Sequence, residues 1–331
     1  MNNKLNFVWI DDEPRRSKSS NNIETQLGVN ARFIKAKNED IQHVLSELYS
    51  KAMPDLILVD HKLQNMKSDF IKTGSTIAEA IRAKWPECPI VCITGISLTD
   101  ETFDIHQRSV YEDVFQFSKI SNYYSAFLTI AQSYKLLRKH PPKDVDGIIK
   151  LIKPAEDDEK RLKDILPEIL KKREAFSDNS LLMAISNWVR HTLIAKPGFL
   201  YDRLWSATLL GLKEQSFNKV EDLFKDAKYD GIFHDEGNER WWQTKIREII
   251  FSKFPDSDMI YPWELGQQLP DITEKDFSKC YVSREDFPET VAFTDETAKN
   301  RKPMRLRYTV PHPHFEKSLY FEEMRMMKGA E

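Results

Sequence analysis

The sequence predicts an α/β domain built on a five-stranded parallel sheet, followed by an α-rich second domain. In roughly the first 140 residues, short apolar segments alternate with segments of helical periodicity. Most of the apolar segments are continuous, which is typical of parallel strands that are covered on both faces. The chain has 331 residues, and because a domain usually has roughly 100–200 residues, two domains are expected.

Five apolar segments are the predicted strands of the first domain. In chain order they are Leu5–Ile10, Ala31–Ala36, Asp55–Val59, Pro89–Ile93 and Val114–Phe117. Arg32 and Lys35 make the second segment partly polar, so we expect that strand at an exposed edge of the sheet.

Helical periodicity fills the intervals between these strands. Amphipathic segments occur at Ile41–Lys51, at Ser75–Trp85 and at Ser121–Arg138, and shorter helices are expected after the first and fourth strands. Five strands that alternate with five helices predict a doubly wound sandwich of the flavodoxin-like kind.

A proline-rich polar stretch from His140 to Gly147 is interpreted as a linker. We expect the first domain at residues 1–139, the linker at 140–150 and the α-rich domain at 151–331. The helices predicted there are Ala155–Ala175 with a break at Pro167, Asn179–Ala195, Leu200–Lys213, Asn218–Ala227, Arg240–Phe254 and a short one at Leu319–Met327. A small β-containing part follows residue 260 or so, with strands predicted at Thr290–Thr294 and Met304–Val310.

Composition excludes several classes of protein. With 40% hydrophobic and 31% charged residues, the chain has enough apolar material for two cores, which excludes a largely disordered protein. The 49 basic and 52 acidic residues nearly balance, which disfavours a nucleic-acid binder. The sequence predicts neither a signal peptide nor a membrane span.

Three cysteines, Cys88, Cys92 and Cys280, are expected to be free thiols, so we expect a cytoplasmic protein.

Acidic, hydroxyl and amino side chains follow the predicted strands. Asp11 and Asp12 follow the first strand, Asp60 the third, Thr94 the fourth and Lys119 the fifth. The carboxyl ends of parallel strands border one crevice, so these side chains should converge. Clustered carboxylates need a cation, and their hard oxygen atoms suit Mg²⁺ better than zinc. An aspartate beside that metal could attack a phosphoryl donor, while a lysine neutralises the transferred group.

This arrangement resembles the receiver domain of two-component response regulators. The segments that carry the resemblance are Phe7–Glu13, Leu56–Asp60, Pro89–Gly95 and Phe117–Lys119, in the order that receivers have. The resemblance implies that Asp60 is the phosphoacceptor. It also implies that Asp11 and Asp12 hold Mg²⁺, with Asp12 as the more direct ligand and the Lys62 carbonyl as a backbone ligand. Thr94 would then be the switch hydroxyl, and Lys119 would bind the phosphoryl group.

Four features depart from the usual receiver pattern. Ile120 follows the lysine where receivers usually have proline, and His61-Lys62-Leu63 replaces the usual Met-Pro after the phosphoacceptor. The segment Gln64–Thr73 is longer than usual, and Gln116 stands at the aromatic switch position. The residues of phosphoryl transfer are therefore present, whereas the usual aromatic relay is not.

Two clusters in the second domain have the residue types of catalytic sites. Asp235 with Gln243 and Lys245 is similar to a nuclease core, but the helical spacing of Arg240–Phe254 favours a solvated helix. His312-Pro313-His314 could bind a metal, although without a third ligand in register a proline-containing loop is the favoured interpretation.

The leading functional hypothesis is a phosphoacceptor in a bacterial two-component phosphorelay, whose second domain signals through protein contacts. Its partner would be a sensor histidine kinase or a phosphotransfer protein, and a homodimer would form through a receiver face that includes Tyr111, Gln116, Tyr123 and Tyr124. The sequence has no enzyme signature beyond the receiver's own phosphorylation and dephosphorylation. One alternative is a receiver-gated effector enzyme, a hydrolase or nuclease of an antiphage signalling operon. Another is a degenerate receiver that binds no phosphate and serves as a dimerisation module.

Overall fold

A computed structural model describes residues 4–67, 73–95, 109–172 and 180–280, and the backbone of four short strands beyond them. The chain divides into two compact units. The first unit comprises Met1–Gly147 and Pro167–Asn187, and the second comprises Ile148–Leu166 and Trp188–Glu331. The domain limits expected from the sequence, 1–139 and 151–331 around a linker, remain a prediction.

A five-stranded parallel sheet forms the centre of the first unit. Its strands are β1 (Asn6–Asp11), β2 (Asn30–Lys35), β3 (Leu56–Asp60), β4 (Ile90–Thr94) and β5 (Asp113–Gln116), and the spatial order is β2-β1-β3-β4-β5. Each strand lies within one residue of its prediction, and the partly polar β2 lies at the edge. The predicted doubly wound α/β class is therefore confirmed.

Helices flank this sheet in the alternation that the sequence predicted. They are α1 (Ser17–Leu27), α2 (Ile41–Tyr49), α3 (Gly74–Lys84) and α4 (Tyr124–Lys139), with 3-10 segments at Pro14–Arg16 and Phe117–Tyr123. The side chain of Asp40 caps α2 by accepting a hydrogen bond from the backbone N–H of His43. The helix predicted after the fourth strand lies outside the described residues.

The apolar core of the first unit determines which side chains reach the functional end of the sheet. All residues of β3 and β4 are buried, and α2 and α3 pack on one face of the sheet through residues such as Val44, Leu48 and Ile77. Gly74, the first residue of α3, lies so close to β3 that a Cβ atom there would be 2.1 Å from the carbonyl oxygen of Asp60. Helix α3 therefore begins directly against the end of β3.

The rest of the chain is mostly helical, as predicted. Its helices are α5 (Val145–Ile152), α6 (Glu159–Ile165), α7 (Glu168–Lys171), α8 (Leu181–Trp188), α9 (Arg203–Leu209), α10 (Gln243–Lys253) and α11 (Pro262–Gly266), with a π-helical segment at Val189–Ile194 and 3-10 segments at Glu156–Asp158, Glu214–Lys219, Glu221–Ala227 and Glu274–Asp276. The break predicted at Pro167 separates α6 from α7. None of the helices that the structure describes is both long and apolar enough to cross a membrane.

Three predicted helices of the second unit differ from the structure. The segment from Leu200 begins as β6 (Leu200–Tyr201), which pairs antiparallel with β7 (Trp241–Trp242), and α9 starts only after Asp202, whose side chain accepts a hydrogen bond from the backbone N–H of Trp205. The predicted helix Arg240–Phe254 likewise begins with β7. Asn218–Ala227 forms 3-10 turns instead of one α-helix. Local periodicity missed β6 and β7 because their pairing joins segments about 40 residues apart.

A four-stranded sheet lies near the carboxyl end, in the order β10-β11-β8-β9. Its strands are β8 (Val291–Thr294), β9 (Arg301–Met304), β10 (Thr309–Pro311) and β11 (Met326–Lys328). The first predicted strand is confirmed by β8. The second, Met304–Val310, covers the end of β9 and the start of β10, with 305–308 outside the described residues. His312, His314 and residues 319–325 of the predicted helix Leu319–Met327 also lie outside them, while the last two residues of that helix, Met326 and Met327, belong to β11 instead.

Candidate functional site

Three buried carboxylates converge at the carboxyl ends of β1 and β3. Asp11 ends β1 and Asp60 ends β3, and these two strands are paired in parallel. Asp12 follows Asp11, and the three residues are at most 4% exposed. One carboxylate oxygen of each lies within 4.8 Å of those of the other two. The structure thus brings together the three aspartates that the sequence singled out.

A small cavity opens beside these carboxylates. Its volume is about 190 Å³, and its lining comprises Asp12, Glu13, Arg16, Asp60, Lys62, Gln64, Asn65, Thr94 and Gly95. Thr94 is the buried last residue of β4. Among the described residues Lys119 does not line this cavity, and it lies exposed in the 3-10 segment that follows β5. The phosphate-binding role implied for Lys119 remains a prediction.

Arg16 is the cation that the structure places among the aspartates. Its Nη1 donates to Oδ1 of Asp60 at 2.7 Å and to Oδ2 of Asp11 at 2.9 Å. The guanidinium carbon lies 4.4 Å from the centre of the Phe117 ring, which is a cation–π distance. The Arg16 side chain is only 12% exposed. One nitrogen therefore bridges two strand ends that are 49 residues apart in sequence.

The turn after β1 directs Arg16 back over the strand end. Pro14 starts a 3-10 turn in which the backbone N–H of Arg16 donates to the carbonyl of Glu13 at 2.9 Å. The backbone N–H of Glu13 donates in turn to Oδ1 of Asp11 at 2.7 Å. Arg16 was not among the residues predicted for this site. The proline shortly after the acidic pair was an available signal for a tight turn, but it does not distinguish Arg16 from the adjacent Arg15.

Asn65 holds the second aspartate of the pair. Its backbone N–H donates to Oδ2 of Asp12 at 2.7 Å, and its side-chain amide donates to the same oxygen at 2.9 Å. The carbonyl of Asn65 accepts a hydrogen bond from the backbone N–H of Asn38. Asn65 belongs to the segment after β3 that is longer than in typical receivers, so this departure supplies a contact to the acidic pair.

Burial changes the protonation of two of the aspartates. It raises the pKa of Asp60 to about 7, with the nearby Asp11 charge acting in the same direction and Arg16 acting against it. Burial also raises the pKa of Asp11 to about 6, while the Glu13 N–H and Arg16 act against it. These shifts express the cost of placing several negative charges in a poorly solvated site, and a bound cation relieves that cost.

The donor set fits a hard divalent cation. The clustered ligand atoms are carboxylate oxygens, which Mg²⁺ prefers over the nitrogen and sulfur ligands typical of zinc. Asp11, Asp12 and Asp60 would hold the ion, and Lys62, whose carbonyl is the implied backbone ligand, lines the same cavity. The acidic cluster is therefore consistent with the metal site of a receiver.

The residues expected at a dimer face have different environments. Tyr111 is buried in the core of the first unit at 3% exposure, so its side chain is not available to a partner in this structure. Gln116 is opposite Thr94 in the β4–β5 register. Tyr123 and Tyr124 are partly buried, and Tyr123 packs on Phe115.

The cluster that is similar to a nuclease core lies on a helix, as its spacing indicated. Gln243 and Lys245 are in the first turn of α10, and Lys245 pairs with Glu248 one turn along the same helix. Asp235 accepts a hydrogen bond from the backbone N–H of Gly237 within a local turn. A nuclease core needs the Gln-x-Lys on a strand, so these residues do not form one.

No protein-family model matches the sequence, and no curated protein matches it either. Solved structures do match part of it. A signal receiver domain of an HD domain-containing protein from Pseudomonas fluorescens Pf-5 is 14% identical, covering 42% of this chain and 95% of its own, with a TM-score of 0.33. A two-component response regulator from Clostridium difficile is 16% identical, covering 39% of this chain and 97% of its own, with a TM-score of 0.32.

The receiver domain of Francisella response regulator 1452 is 13% identical, covering 39% of this chain and 98% of its own, with a TM-score of 0.30. At such identities these matches concern the fold alone, and all three leave more than half of this chain uncovered. The strand order β2-β1-β3-β4-β5 is the flavodoxin-like order that receivers share. By its own strand order, the amino-terminal unit of this chain therefore has the flavodoxin-like doubly wound fold, which receiver domains share.

Proposed function

We propose that this protein is a response-regulator-like phosphoacceptor in which Asp60 accepts a phosphoryl group with the help of Mg²⁺. The observation that carries the proposal is the convergence of Asp11, Asp12 and Asp60 at the ends of two neighbouring central strands. The donor would be the phosphohistidine of a sensor histidine kinase or phosphotransfer protein. The carboxy-terminal part would pass the signal on through protein contacts.

The arrangement of Asp60 suits it to the role of nucleophile. Its Oδ1 accepts the hydrogen bond from Arg16, whereas no described residue donates to its Oδ2. In the proposed reaction Oδ2 attacks the phosphorus atom, the bond from phosphorus to the histidine nitrogen breaks, and an aspartyl phosphate forms. Asp11 and Asp12 are held by neighbouring N–H groups and act as ligands.

A bound Mg²⁺ would supply positive charge to the phosphoryl oxygens as the bond to the donor breaks. The protein contributes a buried site in which such charge acts strongly, because the local dielectric is low. Thr94 lines the same cavity as Asp60, which supports the proposed role of its hydroxyl as the switch group.

The degenerate receiver is the second candidate, and one specific observation favours it. Arg16 already neutralises Asp11 and Asp60 in this structure. In a receiver that had lost phosphoryl transfer, such an ion pair could replace the metal and stabilise the fold. This candidate predicts that the chain takes up no phosphoryl group.

The deciding experiment is intact mass spectrometry of the full chain after incubation with acetyl phosphate and Mg²⁺. We expect the wild type to gain one hydroxylamine-labile phosphoryl group and Asp60→Asn to gain none. Glu24→Gln is the matched control, because Glu24 is an exposed carboxyl on α1 that does not line this cavity, and it should be labelled like the wild type. Equal labelling of wild type and Asp60→Asn would exclude Asp60 as the acceptor. A folded wild type that binds Mg²⁺ and is still never labelled would favour the degenerate receiver instead.

A further inference from the structure

Most carboxylate oxygens of the acidic cluster already accept a hydrogen bond. Asp11 accepts from Glu13 and Arg16, Asp12 accepts from Asn65 on one oxygen, and Asp60 accepts from Arg16 on one oxygen. Within the described residues, four of the six oxygens are therefore engaged. A cation that joined Asp11 and Asp60 through the engaged oxygens would have to displace Arg16.

Packing and backbone geometry hold the Arg16 side chain in one position. Its guanidinium rests against the Phe117 ring, and Phe117 in turn packs edge-on against Trp9 with ring centres 6.1 Å apart. The 3-10 turn that begins at Pro14 fixes the start of the side chain. Charge-assisted hydrogen bonds in such a poorly solvated place are among the stronger ones in proteins.

We propose that Arg16 is an internal competitor of Mg²⁺, whose guanidinium occupies the metal-ligating oxygens of Asp11 and Asp60 and thereby sets the metal concentration at which Asp60 can react. This inference rests on the proposed function, since it concerns the regulation of the same site. Both cations carry positive charge to the same pair of carboxylates, so binding of one opposes binding of the other. A metal ion that takes Oδ2 of Asp11 or Oδ1 of Asp60 as a ligand then requires the Arg16 side chain to leave that aspartate.

Arg16 would have a second role after Mg²⁺ has displaced its guanidinium from Asp60. Its guanidinium, which in this structure lies on the wall of the cavity that contains Asp60, remains tethered to the turn beside that cavity. A planar guanidinium recognises the oxygens of a phosphoryl group well. Release from Asp60 would therefore leave a cation next to the group that Asp60 receives.

The test is a calorimetric titration of the full chain with MgCl₂ at constant ionic strength. For Arg16→Gln we expect at least about tenfold tighter Mg²⁺ binding than in the wild type, which corresponds to about 1.4 kcal/mol. Arg15→Gln is the matched control, because it removes the same charge from an adjacent, exposed arginine that forms no ion pair with a described residue. We expect its Mg²⁺ affinity to stay within about twofold of the wild type.

Each outcome decides the proposal. Equal affinities in the wild type and Arg16→Gln, or weaker binding in Arg16→Gln, would overturn it, as would an equal gain in Arg15→Gln, which would be a general charge effect. Absence of Mg²⁺ binding in both the wild type and Arg16→Gln would overturn it together with the proposed function. If Arg16→Gln does not fold, Arg16→Lys takes its place, with an expected gain of at least about threefold, because lysine keeps the charge but loses the planar group that packs on Phe117.

Phosphoryl uptake by the same samples separates the two proposals. If Asp60 is labelled and the affinities are equal, only the competition fails. If Arg16→Gln binds Mg²⁺ at least tenfold more tightly than the wild type and neither protein is labelled at saturating Mg²⁺, the competition stands and phosphoryl transfer fails.

Discussion

Nη1 of Arg16 lies 2.7 Å from Oδ1 of Asp60, across 44 residues of sequence. This contact places a permanent positive charge on the residue that the receiver resemblance implies as phosphoacceptor. It also relates the chemistry of the site to the turn after β1, because that turn determines where the guanidinium lies.

Mg²⁺ binding should strengthen as the pH rises from 5.5 to 7.5. The pKa of Asp60 is raised to about 7 and that of Asp11 to about 6, so both carboxyls are largely protonated at pH 5.5. Protons and Mg²⁺ compete for the same oxygens, and deprotonation at higher pH therefore favours the metal. Because the Asp11 charge itself raises the pKa of Asp60, the two groups titrate together, and we expect the affinity to rise by at least about tenfold over this range.

Calorimetric titrations at several pH values and constant ionic strength would measure this dependence. Carboxyls with ordinary pKa values near 4 would give almost no change between pH 5.5 and 7.5. A flat profile would therefore contradict the raised pKa values of Asp11 and Asp60.

Thr94→Ala should leave phosphoryl labelling intact but weaken its effect on the rest of the chain. Thr94 is buried at the end of β4 and lines the cavity, yet a hydroxyl there is not needed to form the aspartyl phosphate. Hydrogen–deuterium exchange of peptides from residues 188–280, with and without acetyl phosphate, would report the effect. Asp60→Asn serves as the unlabelled reference, and loss of labelling in Thr94→Ala would show that Thr94 takes part in the transfer itself.

Gly74→Ala should destabilise the first unit by about 2 kcal/mol, in the range typical of overpacked sites. The added Cβ would lie 2.1 Å from the Asp60 carbonyl oxygen and 2.8 Å from Cγ1 of Val59, so α3 or the end of β3 has to move. Gly95→Ala is the control, because no atom of the described residues lies within 4 Å of its added Cβ, and its effect should stay below about 0.5 kcal/mol. Urea unfolding of both variants would measure the difference, and equal stabilities would show that α3 yields without cost.

Ser186→Ala should destabilise the first unit by about 1.5–3 kcal/mol, the usual range for a hydrogen bond to a charged group. The buried Ser186 hydroxyl donates to Oε2 of Glu112 at 2.7 Å, and Arg82 donates to the other oxygen of that carboxylate. Loss of the hydroxyl leaves a buried charge with fewer donors. Ser50→Ala removes an exposed hydrogen bond to a backbone carbonyl and should change the free energy of unfolding by less than about 0.5 kcal/mol.

The same urea titrations would compare Ser186→Ala with Ser50→Ala. If the two variants lose equal stability, the bond between Ser186 and Glu112 contributes nothing beyond an exposed one.

The sequence by itself determined the sheet and the identity of its acidic residues. Continuous apolar segments located all five strands to within one residue, because burial on both faces leaves a local pattern of composition. The convergence of Asp11, Asp12 and Asp60 also followed from sequence, since the carboxyl ends of adjacent parallel strands border one crevice.

Only the tertiary structure decided which other residues reach that crevice. Arg16 rather than Arg15 faces the carboxylates, Asn65 holds Asp12, and Lys119 lies exposed outside the cavity lining. Pattern and spacing do not determine the direction of a side chain that leaves a turn or an irregular segment, because that direction depends on packing against residues distant in sequence.

Contacts between distant segments also limited what could be predicted from sequence elsewhere in the chain. The segment Pro167–Asn187 groups with the first unit, where Ser186 reaches Glu112 across 74 residues. Strands β6 and β7 lie where the first residues of the predicted helices Leu200–Lys213 and Arg240–Phe254 were expected, for a related reason. Two-residue strands carry almost no periodic signal, and their stability comes from the partner strand, so that only the folded chain determines where they form.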